Sequence, residues 1–199
     1  MVQKKKIEEI FTLAERYHKK NNFIEAQKLY ESIIKIEPNN IESIFRLGSL
    51  FAQVNNFDKA INFLSKVIKN KPNHSKAHNN LGIVFNSLRQ YQKAKYHYEK
   101  AIEINPKHKE AYNNLGSVFF ELGKFKNSFK CYHEAIEINS NHYDAIKNIS
   151  ILLRQFNIDV LTSVDLVRLR KLFLLLYKRN DIEHKDIFLN SKKILLSKE

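Results

Sequence analysis

The scarcest residues of this chain recur at one fixed interval. Its three prolines, Pro38, Pro72 and Pro106, stand 34 residues apart. Gly48, Gly82 and Gly116 keep the same step, as do Leu13, Leu47, Leu81 and Leu115 and the aromatic series Tyr17, Phe51, Phe85 and Phe119. Two further series follow in constant order: Ala26, Ala60, Ala94 and Ser128, then Tyr30, Leu64, Tyr98 and Tyr132. A period of this length marks stacked supersecondary units, each unable to bury its apolar face alone. Within one period Ile44, Leu47, Gly48 and Phe51 lie at i, i+3, i+4 and i+7, one face of a helix. Small residues at Gly48 and Ala60 let the two helices of a hairpin approach closely, and the Tyr30 series fills the space toward neighbouring helices. Each proline follows a second helix, where the missing N–H and the ring force a turn.

Composition agrees with helices and little else. Four glycines and three prolines in 199 residues are too few for the many turns of a β-sandwich or barrel. A single cysteine, Cys131, excludes an intrachain disulfide framework and a multi-cysteine zinc site. The longest apolar run, residues 172–177, is far short of the roughly 20 residues needed to cross a bilayer. The basic start, Lys4-Lys5-Lys6, runs directly into Ile7-Glu8-Glu9-Ile10, so no leader-type apolar segment forms, and the expected location is cytoplasmic.

In these residues the chain resembles the tetratricopeptide repeat, whose period is 34 and whose unit is two antiparallel helices. The third unit carries the resemblance best, in Ala77-His78-Asn79-Asn80-Leu81-Gly82 followed by Phe85, Ala94, Tyr98, Ala101 and Pro106. Departures are His78 at a usually large apolar position, Ala14 for glycine in the first unit and Ser140 for proline in the fourth. The resemblance implies an all-α fold, a right-handed α-solenoid of antiparallel helix pairs, with first helices on a concave wall and second helices on a convex one. Its units are residues 7–40, 41–74, 75–108 and 109–142, with the first helix of a fifth over 143–155. After Gln155 the register is lost, and residues 156–199 are expected to form a C-terminal helical cap. Thr162-Ser163-Val164-Asp165 has the form of a capping box for a helix ending near Tyr177. A last helix from Asp181 carries Ile187, Phe188, Ile194, Leu195 and Leu196. These tail helices are apolar around most of their circumference, where a surface helix needs one stripe. They are therefore expected also to meet a partner domain or a second copy.

Tetratricopeptide proteins commonly bind an extended peptide or a partner's helix on the concave wall. By register that wall is almost neutral: Glu8, Glu15, Glu42, Glu110, Glu121 and Asp144 oppose Lys19, Arg46, Lys76, Lys147 and Arg154. The net charge of +13 must then lie on second helices, loops and ends. A nucleic-acid channel needs a basic, aromatic lining, so the expected partner is protein or peptide. Asn80, Asn114 and Asn148 recur 34 apart, with Asn79 and Asn113 beside two of them. A primary amide offers both donor and acceptor and can bond a peptide's own backbone. The row resembles the asparagine ladder in the repeat domain of O-GlcNAc transferases. With Phe45, Arg46, Lys76 and Ser117 it forms the predicted peptide-binding set. The carboxylate clamp of chaperone-tail adaptors is missing: Phe11, Glu15 and Arg46, or Phe45, Ser49 and Asn80, stand at its Lys/Asn/Asn sites.

Chemistry beyond binding finds little support. His74, His108 and His142 repeat, but equivalent sites in adjacent units lie about 10 Å apart on helix spacing, far from the ~2.1 Å each zinc ligand requires. Ser32 and Lys35 fit a loose Ser-x-x-Lys pattern without any companion motif. No phosphate loop, dinucleotide fingerprint or zincin motif occurs, and no metal or cofactor is expected. Two functional classes stay open: a non-enzymatic interaction scaffold, or the substrate-recruiting part of a glycosyl-, sulfo- or methyltransferase whose catalytic domain is separate.

Overall fold

The protein is described by a computed structural model covering residues 2–155 and 166–178. Among the described residues there are ten α-helices and no strand. They are α1 (Val2–Lys19), α2 (Phe23–Ile36), α3 (Ile41–Gln53), α4 (Phe57–Asn70), α5 (Ser75–Ser87), α6 (Tyr91–Ile104), α7 (Lys109–Glu121), α8 (Phe125–Ile138), α9 (Tyr143–Gln155) and α10 (Leu166–Tyr177). Consecutive helices pair as hairpins, α1 with α2, α3 with α4, α5 with α6 and α7 with α8. The fold is an all-α solenoid of antiparallel helix pairs. It divides into two compact units, Met1–Ile104 and Asn105–Glu199.

The turns explain why the helices stop where they do. Asn22, Asn40 and Asn56 cap α2, α3 and α4 by accepting from the backbone N–H of Glu25, Ser43 and Lys59, which satisfies a donor the helix leaves open. Inside each hairpin a residue of positive φ stands two positions past the end of the first helix: Asn21 (59°), Asn55 (59°), Arg89 (56°) and Gly123 (69°). The next N–H then reaches back, Asn56 to Phe51 O at 2.9 Å, Gln90 to Phe85 O at 2.8 Å and Lys124 to Phe119 O at 2.8 Å. This is the Schellman closure of a helix C-terminus.

Packing follows the periodic residues. In the first unit Ala14, Ala26, Tyr30, Leu47, Leu50, Phe51, Ala60 and Val84 form one buried cluster, and Ile44, Phe45, Leu64, Val67, Ala77 and Leu81 a second. Glycine is required where the helices of a hairpin touch. A Cβ on Gly82 would lie 2.5 Å from Tyr98 Cε1, and one on Gly116 would lie 2.6 Å from Tyr132 Cε1. In the second unit Phe129, Tyr132 and Ile136 of α8 pack with Ile146, Ile149, Leu152 and Leu153 of α9 and with Leu172, Phe173 and Leu176 of α10. Leu174 of α10 is 54% exposed. The expected capping box at Thr162–Asp165 and the last helix after Asp181, with Ile187, Phe188, Ile194, Leu195 and Leu196, lie outside the described residues.

Candidate functional site

In the first unit the first helices of successive hairpins, α1, α3 and α5, are tied edge to edge by polar side chains. Arg46 Nη2 lies 2.7 Å from Glu15 Oε1 and its Nε 3.0 Å from Glu42 Oε1, so one guanidinium joins α1 to α3. His18 Nε2 meets Gln53 Oε1 at 3.0 Å between the same two helices. Asn80 Nδ2 donates to Ser49 Oγ at 2.8 Å, joining α5 to α3, and Ser49 Oγ donates onward to Phe45 O at 2.8 Å. Beneath them the Tyr30 hydroxyl is 3.5 Å from His18 Nδ1; burial pushes this phenol up to about 12, so it stays protonated.

The predicted peptide-binding residues of this unit separate into two depths. Asn80 and Arg46 are half-buried and Lys76 is exposed. Asn79 and Phe45 lie lower, each 6% exposed; Asn79 Nδ2 is 3.4 Å from Asn80 Oδ1, and the Phe45 ring sits 4.7 Å from that of His74. A cavity of about 140 Å³ opens beside Asn80, lined by Ser49, Ala52, Gln53, Asn80 and Ile83.

The second unit repeats the theme with different partners. Asn148 Nδ2 donates to Asn113 Oδ1 at 3.0 Å, linking α9 to α7. Ser117 Oγ donates to Asn113 O at 3.2 Å and accepts from the Tyr132 hydroxyl at 3.2 Å. Asn114, Ser117 and Asn148 are half-buried, whereas Asn113 is buried. A primary amide carries two N–H groups and a carbonyl with two acceptor sites, so after its bridge each of Asn80 and Asn148 keeps one N–H, and the Asn80 carbonyl, which accepts from Asn79, keeps one acceptor site.

The histidines are structural in geometry. His74 Nδ1 accepts from Ala77 N at 3.1 Å and His142 Nδ1 from Ala145 N at 3.4 Å, while His108 Nδ1 lies 3.2 Å from Glu110 Oε2. His78 Nε2 meets Pro72 O at 3.2 Å and its Nδ1 meets His97 Nδ1 at 3.2 Å; His97 in turn stacks on Phe85 at 5.3 Å. Burial pushes His78 down and His97 to about 4, so this pair is uncharged at neutral pH. Cys131 is buried. Among the described residues no group of three or more His, Cys, Asp or Glu is placed to hold a metal ion, and no helix is long and apolar enough to cross a membrane.

Two family profiles match the chain, both described as tetratricopeptide repeat: one over residues 17–81, the other over 75–108 and 110–142. No curated protein matches the sequence. Among solved structures, MamA from Desulfovibrio magneticus RS-1 is similar at TM-score 0.68 and 18% identity, covering 88% of this chain and 98% of its own. PilF of Pseudomonas aeruginosa is similar at TM-score 0.75 and 14% identity, covering 98% of this chain and 90% of its own. A variant of the O-GlcNAc transferase of Thermobaculum terrenum matches at TM-score 0.63 and 18% identity over 66% of this chain, which spans 26% of that enzyme.

Proposed function

The chain belongs to the tetratricopeptide repeat family, a fold of protein-interaction scaffolds, and from that premise we propose that it is a non-enzymatic scaffold holding a protein segment against its first-helix wall. The observation that carries the proposal is that each compact unit presents half-buried asparagine amides on its first helices, Asn80 on α5 in the one and Asn114 and Asn148 on α7 and α9 in the other. For Asn80 and Asn148 the bridge to a neighbouring helix fixes the amide's orientation while leaving an N–H and an acceptor site for a ligand backbone. Arg46, Lys76 and Ser117 contribute polar contacts beside them, and Phe45, Asn79 and Asn113 support the wall from below. Protein fits better than nucleic acid because Arg46, a central cation of the wall, is already engaged by Glu15 and Glu42.

A second proposal, recruitment of substrate to a separate transferase domain, draws support from the likeness to the O-GlcNAc transferase structure. One experiment tests the wall for both. Peptides selected from a random display library on the full chain should bind roughly tenfold or more weakly to the triple variant Asn80→Ala, Asn114→Ala, Asn148→Ala, each lost contact being worth about 1 kcal/mol. Lys69→Ala and Lys130→Ala, on second helices, should bind as the unaltered chain does. Equal binding by the triple variant removes the proposal.

A further inference from the structure

The cavity beside Asn80 has a chemistry that narrows what the first unit's wall accepts. Its apolar lining is Ala52 and Ile83, the latter 39% exposed although large. Its polar members are partly engaged already. The single O–H of Ser49 is donated to Phe45 O and its oxygen already accepts from Asn80, while Gln53 Oε1 is held by His18. No charged residue lines it. A polar or charged side chain entering here exchanges water for few partners, a costly transfer. An aliphatic one removes apolar surface of Ala52 and Ile83 from water together with its own. The volume, about 140 Å³, is close to that of an engineered apolar cavity of about 150 Å³ that admits benzene, so a branched aliphatic group fits. Of the lining residues, Asn80 and Gln53 carry amide N–H groups beyond those bonds, donors suited to a ligand's main chain.

Resting on the wall-binding proposal above, we infer that this cavity is a specificity pocket. It takes one Val, Ile or Leu side chain of an extended, locally uncharged segment of a partner protein. The charge placement agrees: Arg46 is engaged by Glu15 and Glu42, and the cavity lining itself carries no charge to select a charged residue at the aliphatic position.

The test uses short random peptides displayed on phage and selected on the full chain. Enriched peptides should share an aliphatic residue flanked by uncharged ones. Truncating it to Ala should weaken binding roughly tenfold, the worth of burying a few methylenes. Ala52→Phe, which fills the cavity, should weaken binding to a similar extent or more without lowering the melting temperature. Ile83→Asp, at a partly exposed helix position, provides a second block should Ala52→Phe fold poorly. Peptides that bind both variants unchanged, or that place a charged residue at the shared position, overturn the pocket; if the triple asparagine variant still abolishes their binding, the wall proposal stands without it. Failure to enrich any peptide overturns both.

Discussion

Replacing Gly82 by alanine probes the contact that sets the spacing of a hairpin. An ideal Cβ there would meet Tyr98 Cε1, Cδ1 and Cζ at 2.5, 2.6 and 2.9 Å. Tyr98 is 1% exposed, so its ring has nowhere to turn. Overpacking of this kind costs roughly 1–3 kcal/mol, against which alanine's better helix propensity returns about 1 kcal/mol. The expected net loss is about 0–2 kcal/mol, or up to about 8 °C in a chain of this size. Gly48 supplies the graded comparison, because its Cβ would meet Leu64 Cγ at 2.9 Å and the softer contact should cost less. The first hairpin carries Ala14 opposite Tyr30 at the same register, both fully buried. Its α1 packs chiefly against α2, whereas α5 has α3 and α4 against it as well as α6. Thermal unfolding followed by circular dichroism measures the loss, and Gly82→Ala with Tyr98→Leu should lose less than the two single changes together. A Gly82→Ala protein that melts higher than the parent, as propensity alone requires, refutes the assignment of this glycine to helix spacing.

Two further outcomes follow from the turns and the histidines. Arg89 is exposed at φ 56°, in register with Gly123; Arg89→Gly should stabilise by about 0.5–1 kcal/mol, the left-handed penalty less glycine's greater unfolded freedom, and a lower melting temperature contradicts it. His78 and His97 are held below the ordinary 6.5, His97 at about 4, so the unfolded chain takes up protons first as pH falls. The stability they confer is complete above about pH 6.5 and is lost between there and about 4; a melting temperature that does not fall between pH 7 and 5, or a fall that His97→Phe leaves unchanged, argues against it.

The hairpins were legible because their contacts impose residue types. A Cβ on Gly82 would meet Tyr98 at 2.5 Å, and glycine recurs at this register in the second, third and fourth hairpins, with the small Ala14 in the first. Other features recur in position but not in type. The four left-handed turn residues stand 34 apart as Asn21, Asn55, Arg89 and Gly123; asparagine and glycine suit that backbone, but Arg89 breaks the series, since an exposed turn tolerates the roughly 1–2 kcal/mol a side chain costs there. Depth was equally hidden. Asn79 and Asn80 are neighbours of one type, but the first is turned under the wall and the second stays half-exposed. Phe45, expected on the wall, is likewise buried against His74.

The asparagine row shows why equal residues at equal register are not equal sites. Asn148 bonds the residue 35 positions back, Asn113, which offers an amide oxygen. The residue 35 back from Asn80 is Phe45, which offers none, and Asn80 bonds Ser49 instead. Ser49 is available because the side chain at its hairpin seam is Leu64; at the matching place in the fourth repeat stands Tyr132, whose hydroxyl already engages Ser117. The amide missing at Phe45 and the hydroxyl missing at Leu64 thus accompany the bond of Asn80 to Ser49, and Asn80 and Ser49 line the cavity with Ala52 and Ile83. Specificity in such an array comes from the few positions where the copies disagree, and a binding partner should read those differences, with the shared period supplying only the frame.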